Sequence, residues 1–168
     1  MLNSAMVQNT EIKSGSGAFL QVVTFVLSGG LYAFDIEKVR EIITLQAVEA
    51  VPDAPPFLEG VYSLRGEVVP VIDLRVRLGF GKIENTAEER KAVVTDHAGL
   101  RCAFLVDDIA QVRRLDDVRI QAPPPSLLKI GEKYLTGVFQ DPADKTYTVL
   151  LDLDGLLSFE LKGALGAK

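Results

Sequence analysis

Short apolar segments that alternate with turn residues run along the whole chain, and they limit the folds it can adopt. The clearest lies between Gly66 and Asp73, where V-V-P-V-I is almost continuously apolar. Such a run predicts a strand with both faces buried, and Pro70 within it favours a bulge or an unpaired strand side. About nine or ten such runs recur, with turn signals roughly every eight to twelve residues, which predicts an all-β barrel or sandwich.

Three hairpins are predicted from pairs of these runs. The first turn, at 28–30, reads Ser-Gly-Gly and contains two glycines that are free to take positive φ. The second turn is at 97–99, and the third lies around 141–144. Each turn joins two strands, as expected for an antiparallel pair.

Helical signals are few. Pro56 favours a short helix from 56 to about 62, and Asp154 is expected to cap a terminal helix over about 155–161. Beyond the apolar run, the alternation of apolar and basic residues over 74–78 predicts a strand that continues.

The chain is expected to hold one folded unit with two subdomains. Two proline breaks and one polar loop divide it into comparable halves, which suggests two small barrels. Residues 1–17 are small and polar and are expected to form a flexible arm. The folded domain is then 18–162, and 163–168 form a C-terminal tail.

Composition argues against several partners. Eighteen basic and twenty-three acidic residues give a net charge of −5, which is poorly suited to a nucleic-acid backbone. No apolar run is long enough to cross a bilayer, and the first residues lack a secretory signal. Cys102 is the only cysteine, so a reducing compartment fits. We predict a soluble cytoplasmic protein that neither inserts into membranes nor binds nucleic acid.

Side chains suited to catalysis do not form a set in this sequence. His97 is the only histidine and lies in a turn sequence, where an exposed residue is expected. Cys102 lies in an apolar run typical of a buried, inert thiol. Paired carboxylates occupy turn and cap positions, and the phosphate-binding glycine motifs are absent. No catalytic residue, metal site or cofactor is predicted.

Arg65 lies between an apolar approach and Gly66, at the mouth of the predicted strand. It is either an interface residue, a role in which arginine is enriched, or an ordinary surface arginine. Ile36, Val39 and Ile42 recur at every third position, which on a regular strand would scatter them over both faces. An exposed apolar stripe beside an arginine is typical of a protein-binding groove; burial of all three in the core is the alternative.

Four ordered blocks of the sequence resemble CheW-type chemotaxis coupling proteins. They read F-L-E-G-V-Y-S-L-R-G-E-V-V-P-V-I-D-L-R at 57–75, A-F-L-V-D-D-I-A-Q-V at 103–112, Y-L-T-G-V-F at 134–139 and T-V-L-L-D-L-D-G-L-L at 148–157. Ser63 departs from the family, which usually carries asparagine before L-R-G. The resemblance covers nearly everything from Phe19 to Phe159.

This resemblance implies two intertwined five-stranded β-barrels and no catalysis. Proteins of the family are adaptors that link the cytoplasmic tips of methyl-accepting chemoreceptors to the histidine kinase CheA in membrane-associated arrays. Carried onto this sequence, the receptor-binding positions are Val23, Ile36, Val39, Glu41, Ile42, Gly60, Arg65, Ile109 and Val112. The kinase-facing surface would lie near Leu45, Val48 and Leu74. Glu41 would be close enough to pair with Arg65.

Other interpretations stay open at this point. The chain could be the coupling protein of a non-flagellar chemosensory pathway that controls pili, development or cyclic-dinucleotide output. A β-barrel that binds a small ligand or single-stranded nucleic acid is less well supported, because it needs a basic groove with exposed aromatics. An enzyme is the weakest alternative. The length favours a standalone coupler over part of a kinase or of a CheV-type protein.

Overall fold

The fold is described by a computed structural model for residues 19–81, 90–116 and 119–157. The predicted N-terminal arm and C-terminal tail lie outside these residues. The strands are β1 (Phe19–Leu27), β2 (Gly30–Asp35), β3 (Val39–Leu45), β4 (Leu58–Leu64), β5 (Glu67–Asp73), β6 (Arg90–His97), β7 (Leu100–Val106), β8 (Asp108–Asp116), β9 (Leu135–Gln140) and β10 (Tyr147–Leu151). The helical segments are short: α1 (Leu74–Arg77), α2 (Leu153–Leu156) and 3-10 helices at Ile36–Lys38, Pro125–Ile130 and Glu132–Tyr134. The all-β prediction is confirmed.

The strands form two five-stranded sheets, ordered β8-β1-β2-β10-β9 and β3-β6-β7-β5-β4. Each sheet contains one parallel pair, β2 with β10 and β5 with β7. In one sheet, the segment after β3 pairs with β4 at the opposite end, through Glu49 and Val61. In the other sheet, the segment after β8 pairs with β9 at the opposite end, through Gln121 and Val138. These bridges close both sheets into barrels. We name them the terminal barrel (β1, β2 and β8–β10) and the central barrel (β3–β7).

The two halves of the chain are structurally equivalent and exchange strands. Val23 pairs with Val112 in the terminal barrel, and Val93 pairs with Ile42 in the central barrel, so equivalent residues are seventy positions apart. The same spacing relates hairpin β1–β2 to hairpin β6–β7. Each half gives its first two strands to one barrel and its last three to the other. The barrels are therefore intertwined, which confirms the two intertwined five-stranded barrels that the resemblance implies.

The largest hydrophobic cluster lies between the barrels and includes residues of both, such as Phe25, Phe34, Ile72 and Phe104. Phe34 and Phe104 are equivalent residues of the two halves, and their ring centroids lie 5.3 Å apart. Contact between equivalent residues is the mark of an approximate twofold relation. Two smaller clusters fill the individual barrels.

The three predicted hairpins are present as β1–β2, β6–β7 and β9–β10. In the first, the positive φ angles belong to Ser28 (50°) and Gly29 (83°) rather than to the two glycines. The predicted helix over 56–62 is wrong, because β4 occupies Leu58–Leu64 and forms a ladder with β5. Pairing across the sheet outweighs the helix-start preference of proline there.

Aspartate caps explain two other differences from the predictions. The Asp73 carboxylate accepts the N–H groups of Arg75 at 3.1 Å and Val76 at 3.3 Å, so the chain turns into α1 and the predicted strand over 74–78 is wrong. Asp152 rather than Asp154 caps α2, accepting the Asp154 N–H at 3.0 Å. The part of the predicted last helix beyond 157 lies outside the described residues.

Candidate protein-binding groove

Strands β3 and β8 lie at the ends of their sheets and carry the predicted apolar stripe. Ile42 on β3 is 39% exposed and Val112 on β8 is 56% exposed. These are equivalent positions of the two halves, since their partners Val93 and Val23 are also equivalent. The exposure of Ile42 agrees with the prediction that the stripe does not lie wholly in the core.

Val39 and Ile109 form a second equivalent pair on the same two strands. Both are half-buried and pack against the cluster between the barrels. Ile36, also half-buried, lies in the 3-10 helix that leads from the terminal barrel to the central barrel, and Asp35 caps this helix through the Glu37 N–H at 2.9 Å. The structure thus brings these apolar residues to the junction of the two barrels.

Val23 and Gly60 have structural positions rather than contact positions. Val23 is 1% exposed, so its side chain can support a groove but cannot contact a partner. Gly60 is buried, and a Cβ at this position would lie 2.2 Å from the Glu49 carbonyl oxygen. These two residues can shape the groove but offer no side chain to a partner, because close packing with their own chain uses the space.

Arg65 occupies the two-residue turn between β4 and β5, where it has φ 51° and Gly66 has φ 81°. Both angles are those of the tight turn that suits the twist of a hairpin. The Arg65 guanidinium donates to the Glu41 carboxylate on β3, so the predicted contact between them is present. This hydrogen bond lowers the pKa of Glu41. The Arg65 side chain nevertheless stays 71% exposed and can reach a partner.

A shallow depression of about 400 Å³ surrounds this pair, and Arg40, Glu67 and Arg101 contribute to its lining. Arg101 donates to Glu67 and, at 3.1 Å, to Asp96. The depression therefore alternates positive and negative groups. Its chemistry suits polar contacts beside the apolar stripe, where geometry decides which partner groups fit.

The predicted kinase-facing residues are not at the surface as a group. Leu74 is fully buried and Leu45 is 1% exposed, so neither side chain can contact a partner directly. Val48 is half-buried against the core of the central barrel. Val68, which the sequence placed in a strand buried on both faces, is instead 67% exposed. Nothing in the apolar run V-V-P-V-I distinguishes Val68 from buried Val69, so only the structure shows which of the two faces solvent.

In the described parts of the chain, no three His, Cys, Asp or Glu residues gather as metal ligands, and no helix is long and apolar enough to cross a membrane. The His97 side chain is only 16% exposed and bonds Asp154, so the expectation of an exposed turn residue is wrong. Cys102 is buried, as expected.

Comparison with known proteins identifies relatives over both barrels. The family model described as CheW-like domain matches residues 21–160. The chain is 34% identical to Chemotaxis protein CheW of Treponema pallidum over 143 residues, which is 82% of each protein. It is 32% identical to Chemotaxis protein CheW of Klebsiella aerogenes over 141 residues, covering 83% of this chain and 82% of the relative. The solved structure of the scaffolding protein TtCheW from Thermoanaerobacter tengcongensis superimposes with a TM-score of 0.73 at 28% identity, over 85% of this chain and 95% of that one.

Proposed function

The chain belongs to the CheW family of chemotaxis proteins, and on that basis we propose that it couples methyl-accepting chemoreceptors to a CheA-type histidine kinase without catalysing a reaction. Membership gives the chain the role of a chemotaxis scaffold. The proposal concerns the partners and the surfaces that meet them. The protein would act in the cytoplasm and reach the membrane-associated array through the receptor tips.

The observation that carries the proposal is the pair of exposed apolar residues Ile42 and Val112 at equivalent positions on β3 and β8. Val39, Ile109 and the 3-10 helix with Ile36 extend this apolar surface to the junction of the barrels. A groove with regularly spaced apolar positions suits a helical partner, which inserts apolar side chains from one of its faces. The receptor tip would bind there.

Arg65 would supply the polar contact at one side of the groove. Its exposed guanidinium is oriented by Glu41, so little side-chain freedom would be lost on binding. Arginine fixed in this way adds direction and specificity to a contact that is otherwise apolar.

Val68 is our candidate for kinase contact in place of the buried Leu45 and Leu74. It lies on the central barrel, where the resemblance implies the kinase-facing surface, and it is the most exposed large apolar side chain among the described residues. A single exposed valine next to a hairpin turn can act as an anchor when a partner offers a pocket. The two partners would then bind different parts of one rigid unit.

Binding to a receptor-tip fragment tests the groove. We expect Val112→Asp and Arg65→Glu each to weaken binding by about tenfold or more, as for central interface residues, and to reduce kinase stimulation. Because both side chains are exposed, the thermal unfolding midpoint should not change. Arg119→Glu, at an exposed position in the segment after β8, is the matched control and should bind like wild type. Wild-type binding and kinase stimulation by both groove variants would refute this assignment.

A further inference from the structure

A cavity of about 200 Å³ opens at one end of the terminal barrel, apart from the groove residues. Its apolar lining includes Leu20, Phe34 and Leu153. Its polar lining consists of Asp35, Lys38, His97, Thr136 and Asp152. An apolar floor with a few polar groups at its margin is the usual composition of a small-molecule site.

The equivalent place in the central barrel is occupied by an ion pair. Leu20 and Arg90 are equivalent residues, seventy positions apart. Their strand partners, Leu115 and Leu45, are also seventy positions apart. Thr136 on β9 and Glu59 on β4 also correspond. Each is the extra residue at the register shift of its strand, Thr136 following Leu135 and Glu59 following Leu58. The cavity is therefore lined by the counterparts of Arg90 and Glu59.

In the central barrel, Arg90 Nη1 lies 3.1 Å from Glu59 Oε2, and the two side chains are only 24% and 19% exposed. The arginine guanidinium therefore meets a carboxylate in a largely buried setting. In the terminal barrel, leucine and threonine are too short and uncharged to make this pair. The terminal barrel thus has a cavity lined by Leu20 and Thr136, at the positions where the central barrel has this ion pair.

The charges at the cavity favour a cation. Two carboxylates, those of Asp35 and Asp152, line the cavity, whereas only one ammonium group, that of Lys38, does so. His97 Nε2 lies 2.7 Å from the Asp154 carboxylate, which adds a third acid beside the cavity. His97 Nδ1 is buried and has no hydrogen-bond partner among the described residues, and a buried polar atom of this kind calls for a partner. When Nε2–H donates to Asp154, Nδ1 is an acceptor that a cationic N–H can satisfy.

We propose that this cavity binds an alkyl guanidinium or alkyl ammonium group, with the alkyl chain on the apolar floor and the cationic head near His97 and Asp152. The bound group would take the place that Arg90 takes in the central barrel. This proposal goes beyond the adaptor role and does not depend on it.

Titration of the full chain with agmatine, a guanidinium on a short alkyl chain, tests the site by nuclear magnetic resonance. Since His97 is the only histidine, its imidazole signals report the cavity without overlap. We expect saturable shifts of these signals with agmatine and none with pentanol, which has a similar chain and no charge. A capped tripeptide with a central arginine forms a second arm. Stronger binding of the peptide would indicate a partner's side chain as the source, and stronger binding of agmatine would indicate a free amine.

Variants that fill the cavity provide the matched comparison. Leu20→Arg combined with Thr136→Glu recreates the ion pair of the central barrel and should abolish the shifts. Leu20→Phe fills part of the space without charge and gives the same test if the double variant does not fold. Val51→Ser, at an exposed position in the segment between β3 and β4, should bind like wild type. Absence of saturable shifts in wild type with both cations, or unchanged shifts in the filled variants, would overturn the proposal.

Discussion

In each barrel, one ion pair joins an end strand of the sheet to the tip of a hairpin. The acid and the base have opposite places in the two barrels. In the central barrel the acid, Glu41, is on the strand and the base, Arg65, is in the turn. In the terminal barrel Arg113 is on the strand and Asp141 follows β9. Arg65 is 71% exposed, whereas Arg113 is 20% exposed. A groove built from two equivalent halves therefore has an exposed guanidinium on one side, which gives a bound partner a preferred direction.

Asp141 makes the stability of the terminal barrel depend on pH. The backbone N–H of Ala143 and the side chain of Arg113 hold the pKa of Asp141 below its ordinary range. A lowered folded-state pKa stabilises the protein above the unfolded-state value of about 3.9, and this contribution is lost as the pH falls through the folded-state value. Asp141→Asn keeps an acceptor for Ala143 and loses the ion pair. Its free energy of unfolding in urea should be below that of wild type at neutral pH.

The difference between wild type and Asp141→Asn should narrow as the pH falls below about 4. Asp116→Asn is the control, because Asp116 forms an exposed pair with Arg114 at 3.3 Å. It should follow wild type at every pH. If the difference in free energy of unfolding between wild type and Asp141→Asn stayed constant to low pH, the role given to the ion pair would be contradicted.

Cys102 should be inert in the folded protein. It is fully buried in β7, and burial raises the pKa of its thiol to about 12, so the thiolate is scarce at neutral pH. With iodoacetamide at pH 8, native protein should remain unlabelled while urea-unfolded protein is labelled completely, as read by mass spectrometry. Rapid complete labelling of the native protein would contradict this burial.

Barrel closure depends on one glycine in each barrel. A Cβ on Gly60 would lie 2.2 Å from the Glu49 carbonyl oxygen, and one on Gly137 would lie 2.6 Å from the Gln121 carbonyl oxygen. Both glycines precede the residue that makes the closing bridge, Val61 or Val138. The repeated G-V pair is thus explained by close approach of the backbone, which only glycine permits.

Gly137→Ala should destabilise the protein by roughly 1–3 kcal/mol, the usual cost of overpacking, because the added methyl group meets backbone. Urea unfolding measures the effect. Gln121→Ala alters the same bridge only at an exposed side chain and keeps its backbone, so it should stay within about 0.5 kcal/mol of wild type. Equal stability of the Gly137→Ala variant and wild type would show that the closing bridge tolerates the methyl group.

Strands and hairpins could be predicted from the sequence because their signals are local. Apolar alternation and turn residues located β1–β2, β6–β7 and β9–β10. The helix after Asp73, where a strand is predicted, and the start of the last helix at Asp152 instead of Asp154 both differ from the predictions. In each case a single side-chain cap decides where the helix begins. The strand exchange could not be predicted from the residues, since it depends on pairing between distant segments, and the internal equivalence is faint in the sequence. Only the family resemblance predicts the strand exchange.

The candidate site shows the same division. The spacing of Ile36, Val39 and Ile42 predicts that some of them leave the core, with burial of all three as the alternative, and the structure exposes Ile42. The resemblance assigns Val23, Leu45 and Leu74 to partner-binding surfaces, yet all three side chains are buried. Val68 was missed because its apolar neighbours in the strand favoured a fully buried run.

At the scale of the whole molecule, strand exchange makes the two barrels one mechanical unit. Each half contributes to both barrels, and the central cluster contains residues of both. A packed interface of this kind shifts between discrete arrangements more readily than it deforms gradually. Displacement of a partner at the groove would therefore be passed on to a partner on the outer side of the central barrel. Such coupling requires that the two partners occupy two distinct surfaces.

Site-specific photo-crosslinking tests that claim most directly. A benzophenone side chain is placed at Val112 or at Val68, both exposed, and each variant is mixed with a receptor-tip fragment and a CheA-type kinase. We predict that the Val112 variant crosslinks to the receptor fragment and the Val68 variant to the kinase. Crosslinks in the opposite sense, or receptor crosslinks from both positions alike, would contradict the division of surfaces.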